Sequence, residues 1–245
     1  MPFERVGAIT LAAGENELYT AVIDPAAGFA YFGTATIPGR VIKIRLSDFT
    51  RVGVLTFELV DVYNASSVID PAAGFAYFGT DTIPGRVIKI RLSDFTRVGA
   101  ITLAADEDEL YSAVIDPAAG FAYFGTATIP GRVIKIRLSD FTRVGAITLA
   151  AGENGLFSSV IDPAAGFAYF GTNTIPGRVI KIRLLDFMRA DAITFAVGEN
   201  LLRSAVIDRA AGFAYFGTLT SPGRVVKVNV YALIAVDHLM MMGVH

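Results

Sequence analysis

Thr20, Ser66, Ser112, Ser158 and Ser204 recur at intervals of 46 positions, each followed by a small residue: Ala21, Ser67, Ala113, Ser159 or Ala205. Brought around one axis, these hydroxyls would line a polar channel for water or a small ligand. Steric fit, where five strands crowd an axis, is the simpler use of the same small residues. Asp24, Asp70, Asp116, Asp162 and Asp208 repeat at the same interval. Five carboxylates near an axis would suit Ca²⁺, which takes several oxygen ligands. Each, however, directly precedes a turn that an Asp side chain caps, and Pro follows four of the five. Arg40, Arg86, Arg132, Arg178 and Arg224 stand beside Pro-Gly turns, where they would make solvated or inter-unit ion pairs with acidic loops. Glycoside hydrolysis needs two carboxylates in different environments. Near-identical units supply near-identical environments, which argues against that chemistry and against an enzyme.

The remaining inventory excludes further classes. With no Cys there is no disulfide, thiolate metal site or cysteine nucleophile. The two His, His238 and His245, both lie in the C-terminal tail, so the repeated body holds no histidine base. No cofactor or metal site is expected. The 21 Lys+Arg nearly balance the 23 Asp+Glu, leaving a net charge of −2 and no field to attract nucleic acid or an anionic membrane. At 53% hydrophobic and 18% charged residues the chain is too apolar for disorder. No apolar run reaches the roughly 18–20 residues that span a bilayer, and the start lacks the pattern of a secretory leader. A soluble protein is expected, with its compartment open.

The elements that must position these groups follow from the repeat itself. Five 46-residue units occupy 3–48, 49–94, 95–140, 141–186 and 187–232, followed by an apolar tail, Leu233–His245. The first and third units differ at four positions only: Glu4/Thr96, Gly14/Asp106, Asn16/Asp108 and Thr20/Ser112. Each unit carries four strand signals, in the first at Leu18–Asp24, Phe29–Thr34, Arg40–Leu46 and Arg51–Phe57. They are short, aromatic or β-branched, and the third alternates at period two. Short loops join them: Asp-Pro-Ala-Ala-Gly, then Ile-Pro-Gly with a type II signature, then Ser-Asp. The four strands therefore form an antiparallel meander, and the protein is all-β.

A four-stranded meander of this length is the blade of a β-propeller. Apolar residues at both strand parities agree, since blades packed around an axis bury both faces. The expected architecture is a single five-bladed domain over residues 3–232. The chain begins with an outermost strand, Arg5–Leu11, and its last unit has three strand signals, so the first strand is expected to complete the last blade and close the ring. The run Ala21-Val-Ile-Asp-Pro-Ala-Ala-Gly-Phe-Ala-Tyr-Phe-Gly-Thr34, with Gly39–Arg45 and Asp48 behind it, resembles YVTN-type β-propeller repeats. It departs in carrying Phe-Gly-Thr for Val-Ala-Asn and in having five units. That resemblance implies a propeller with surface-associated or interaction roles, and no catalytic residue to carry over.

Where the units differ is more informative than where they agree. Variation gathers in the loops Ala12–Tyr19, Glu58–Ala65, Ala104–Tyr111, Ala150–Phe157 and Ala196–Arg203, and at Ala35, Asp81, Ala127, Asn173 and Leu219. In a propeller both loop types emerge on one face, and loops on a rigid scaffold carry binding specificity; they are also the least constrained positions of the fold. The candidate binding face comprises Glu15, Asn16, Tyr19, Asp61, Tyr63, Asp81, Asp106, Glu107, Asn154, Asn173 and Arg203, with Thr20, Ser66, Ser112, Ser158 and Ser204 as the channel ring. The face is acidic. The expected function is a non-catalytic scaffold for a protein or small polar ligand, with a lectin-like multivalent module as the alternative. A monomer is favoured, with head-to-tail strand exchange as a further possibility. In the tail, Met240–Met242 and two His would suit a soft metal, although an apolar segment packing over the ring is the simpler use.

Overall fold

The computed structural model describes residues 3–230; the expectations for the tail Leu233–His245 and for the last two residues of the fifth unit fall outside them. Among the described residues nineteen strands form five sheets, with no helix. Blade 1 is β1 (Leu18–Asp24), β2 (Phe29–Thr34), β3 (Arg40–Arg45) and β4 (Thr50–Thr56). Blade 2 is β5 (Asn64–Asp70), β6 (Phe75–Thr80), β7 (Arg86–Arg91) and β8 (Thr96–Thr102). Blade 3 is β9 (Leu110–Asp116), β10 (Phe121–Thr126), β11 (Arg132–Arg137) and β12 (Thr142–Thr148). Blade 4 is β13 (Leu156–Asp162), β14 (Phe167–Thr172), β15 (Arg178–Arg183) and β16 (Met188–Thr194). Blade 5 has three strands among the described residues, β17 (Leu202–Asp208), β18 (Phe213–Thr218) and β19 (Val225–Asn229). Every sheet is an antiparallel meander in sequence order.

The three turns of each unit are built differently from one another. In the first, Asp24 Oδ1 accepts the Ala27 N–H at 3.0 Å, and Asp70, Asp116, Asp162 and Asp208 repeat this bond. Gly28 and its four counterparts take φ between 72° and 79° there, the left-handed region that glycine enters without a Cβ penalty. The second turn is not type II: all five X–Pro bonds, beginning with Ile37–Pro38, are cis, which places Pro at the third position of the turn. In the third, Asp48 accepts from the Thr50 hydroxyl at 2.7 Å and from Arg45 at 2.8 Å. Phe49, Phe95, Phe141 and Phe187 follow with φ of 52–54°, an unusual conformation for a bulky residue.

Phe95, Phe141 and Phe187 are held by the seams between blades, where the core lies. Tyr31 of blade 1 packs on Phe95 of blade 2 at 5.9 Å, Tyr77 on Phe141 at 5.9 Å and Tyr123 on Phe187 at 5.8 Å. A lysine closes each trio: Lys89 Nζ lies 3.9 Å from the Phe75 ring centre and 5.4 Å from that of Phe141, a cation–π arrangement. Burial lowers the pKa of Lys43, Lys89 and Lys135. Deeper in, four apolar clusters correspond to the four seams; between blades 1 and 2, Val41 and Tyr31 meet Phe78 and Ile88. The innermost strands pack in succession from β1 to β5, β9, β13 and β17, and β17 makes no packing of comparable extent with β1.

The expected closure through Arg5–Leu11 is therefore not made in this structure. That segment forms no strand. It lies instead along blade 1, with Gly7 facing the Phe49 ring as Gly53 faces Phe95. Its place is that of an outermost strand belonging to a blade before the first.

Candidate functional site

Alternation along the innermost strands separates two sets of side chains. In β5, Asn64, Ser66, Val68 and Asp70 are buried while Ala65, Ser67 and Ile69 are partly open. The buried set faces the seam. Ser112 Oγ donates to Leu156 O of the next blade at 2.8 Å, and a Cβ on Gly125 would lie 2.4 Å from that Oγ and 2.7 Å from Leu156 Cβ. The ring Thr20, Ser66, Ser112, Ser158 and Ser204 thus stands at the margin of the axial hollow, with Ser66, Ser112 and Ser158 buried. The hollow, of about 190 Å³, is lined further in by Ser67 and Ser159, and Thr20 and Ser67 share a short hydroxyl–hydroxyl hydrogen bond.

One position before the hydroxyls, the first turn of the axis carries Tyr19, Ala65, Tyr111, Phe157 and Arg203. Tyr111 stacks on Phe157 with ring centres 4.4 Å apart and 27° between planes. The Arg203 guanidinium lies over the other side of Phe157, 4.1 Å from its centre. Three successive blades thus build one continuous stack at the axial mouth. Tyr111 Oη donates to Asp81 Oδ2 at 2.7 Å. Burial and the facing Asp81 carboxylate push the Tyr111 hydroxyl well above its ordinary pKa. Beside the stack, Tyr19, Tyr63 and Tyr111 meet Glu17 and Asp81 around a hollow of about 140 Å³. Three aromatic rings with two carboxylates offer a cation both π faces and a countercharge.

A second hollow of about 460 Å³ lies on the same loops, between Ile83, Asp106, Asp108, Glu109 and Arg132. Burial raises the pKa of Asp108 and of Glu109; the neighbouring charge of Asp106 adds to the first and that of Asp81 to the second.

Several candidates are buried and engaged within the fold. Glu15, Asp61 and Glu107 are buried and gripped by arginines of the outermost strands. Arg51 Nε reaches Glu15 at 2.8 Å, Arg143 Nε reaches Glu107 at 2.7 Å, and Asp61 meets Arg86 at 2.6 Å and Arg97 at 3.1 Å. The Arg51 hydrogen bond holds the Glu15 carboxyl below its usual range. These carboxylates anchor the crossing loops and present little to solvent. Asp106 stays exposed beside Arg132 at 3.6 Å. Asn16 and Arg203 are exposed, and Asn154 and Asn173 half-buried. The five turn aspartates are engaged by their own turns, and no cluster of three or more His, Cys, Asp or Glu suited to a metal occurs among the described residues. Of the repeated arginines, Arg86 and Arg132 pair with acidic residues of their own blade's crossing loop. Tyr111 and Phe157 are not among the candidate site residues that the sequence singles out. Tyr111 and Phe157 were legible as aromatic residues one repeat apart at a variable position.

No protein-family model matches the chain, and no curated protein matches it. The resemblance to YVTN-type repeats thus gains no family-level support. Solved structures do match. The β-propeller domain of Myceliophteria thermophila Cps50 (Swd1) is similar at a TM-score of 0.70 and 13% identity, over 94% of this chain and 70% of that one. The WD40 repeats of RRP9 are similar at a TM-score of 0.66 and 9% identity, over 82% of this chain and 57% of that one. At such identities the likeness is to the fold: a β-propeller of repeated four-stranded blades. No helix among the described residues is long and apolar enough to cross a membrane.

Proposed function

We propose that the protein is a non-catalytic propeller scaffold whose variable loop face binds a protein partner, seating a lysine or arginine side chain of that partner in the tyrosine–carboxylate hollow. The hollow of about 140 Å³ where Tyr19, Tyr63 and Tyr111 meet Glu17 and Asp81 carries this reading. The residues that form it are the ones that differ between units, while the seams beneath them repeat almost unchanged. Cation–π attraction at a partly desolvated site adds about 1–2 kcal/mol to a bound cation. The acidic second hollow at Asp106, Asp108 and Glu109 would extend the favourable field along a basic segment. Catalysis has no support in the chemistry of the face, which offers no histidine or cysteine.

Peptide-display selection against the purified protein tests this reading. Enrichment of Lys- or Arg-bearing peptides is expected, with affinity reduced about tenfold or more by Tyr111→Ala or Asp81→Asn and weakened by salt. Enrichment of acidic or neutral peptides, or binding indifferent to both substitutions, would overturn it. The lectin-like alternative rests on the exposed Tyr19 ring as a sugar platform. Binding on a glycan panel that is lost in Tyr19→Ala would favour it.

A further inference from the structure

One register at the start of the innermost strands holds Leu18, Asn64, Leu110, Leu156 and Leu202. Leu110, Leu156 and Leu202 fill their seams and are fully buried, and Asn64 is as deeply buried in the same place. Its Nδ2 donates to Arg40 O at 2.9 Å and to Thr34 O at 3.3 Å on blade 1, which fixes the orientation of the amide. Its Oδ1 is buried and has no hydrogen-bond partner among the described residues. A buried acceptor left unpaired is costly, and the leucine of the four other units avoids that cost.

Asn64 is one of the residues around the tyrosine–carboxylate hollow of about 140 Å³. Two further residues of that hollow depart from the repeat, and both belong to the second unit. Tyr63 stands where the other units have Glu17, Glu109, Gly155 and Leu201. Asp81 stands where they have Ala35, Ala127, Asn173 and Leu219. Three repeat-breaking residues of one unit thus gather at one hollow. Glu17, Asp81 and Asn64 give it three separate acceptors, and Asp81 Oδ2 already accepts the Tyr111 hydroxyl. A primary ammonium has three diverging N–H donors to meet them. A guanidinium is a planar fork suited to both oxygens of one carboxylate, and a trimethylated ammonium has no donor at all.

We infer that the hollow selects the primary ammonium of an unmethylated lysine, with Asn64 as the residue that sets the preference. This selectivity rests on the cation-binding reading proposed for the same site. The rings of Tyr19, Tyr63 and Tyr111 attract any cation, so they do not discriminate among them. A cation without an N–H leaves the Asn64 acceptor unpaired, and a site that hydrogen-bonds an N–H rejects the analogue lacking it.

The probes are n-butylammonium, n-butyltrimethylammonium and n-butylguanidinium chlorides. Each is titrated into the full chain at constant ionic strength and followed through the tyrosine ring NMR resonances. n-Butylammonium is expected to bind about tenfold tighter or more than either competitor. Asn64→Leu, which restores the residue of the other units, is expected to keep the melting temperature at or above that of the wild type. It is also expected to remove most of the preference over the trimethylated cation. Equal or tighter binding of either competitor to the wild type, a comparison that needs no variant, would overturn the selectivity and leave the cation site standing. A preference that survives in Asn64→Leu would do the same. If no cation saturates, or if binding is unchanged in Asp81→Asn, the cation site falls and the selectivity with it.

Discussion

Arg143 Nε donates to Glu107 Oε2 at 2.7 Å, tying the outermost strand of blade 3 to the loop that delivers its innermost strand. Glu107 also accepts the Ala104 N–H at 3.0 Å, so one buried carboxylate organises both the loop and the sheet edge. Removing Arg143 leaves that carboxylate buried without its countercharge. Arg143→Ala is expected to destabilise the fold by about 3 kcal/mol, read as a lower urea midpoint. Arg143→Lys, which keeps the charge but not the two-pronged grip, is expected to recover only part of it.

Glu15 supplies a pH dependence. Its hydrogen bond to Arg51 lowers its pKa below the ordinary 4.5, so the unfolded chain binds the proton more readily than the folded one. The stabilisation is therefore complete above about pH 4.5 and is lost as pH falls through the lowered folded value. Unfolding free energies of the wild type and Glu15→Gln, measured from pH 7 down to pH 3, are expected to differ at the upper end and converge at the lower.

The glycines beneath the seams should differ according to what faces them. A Cβ at Gly125 meets Ser112 Oγ at 2.4 Å, Leu156 Cβ at 2.7 Å and Phe170 at 3.2 Å. Leu156 Cβ is rigidly placed on the next blade's strand, so Gly125→Ala is expected to cost about 1–3 kcal/mol through overpacking. At Gly217 the added carbon meets only Ser204. The Gly217→Ala variant should lose markedly less in the same denaturation series.

Asp116 separates turn capping from metal binding. Its Oδ1 accepts the Ala119 N–H at 3.0 Å, so Asp116→Ala is expected to cost about 1–2 kcal/mol, the worth of one hydrogen bond to a charged acceptor. Millimolar calcium or a chelator should leave the melting temperature of the wild type unchanged. A calcium-dependent rise would restore the ligand role for the five aspartates.

Much of the architecture was legible because local signals and the repeat agreed. Val-Ile-Asp-Pro-Ala-Ala-Gly announced a hairpin, and the structure shows the Asp side chain and the left-handed glycine in the expected places. Phe95 and Phe141 were not legible as turn residues. Their left-handed backbone contradicts intrinsic preference, and their rings rest on Tyr31 and Tyr77 of the preceding blade. The turn at Pro38 was misread for a similar reason, since Pro-Gly fits more than one turn and the surrounding strands select among them. At the candidate site, sequence variation pointed to the right loops but not to the right atoms. Glu15, Asp61 and Glu107 looked like surface acids because their arginine partners lie 36 positions away in the chain. The Tyr111–Phe157–Arg203 stack needs three blades in register before it exists.

Much of the seam is repeated from blade to blade. Tyr31 on Phe95 and Tyr123 on Phe187 are the same lock, although Asn64 stands in the first seam where later ones carry Leu110 or Leu156. A gene that gained or lost 138 bases by slippage, about one unit of 46 codons, would still specify blades with intact junctions. Arc length is thus a property that replication can vary without disturbing the packing of any blade.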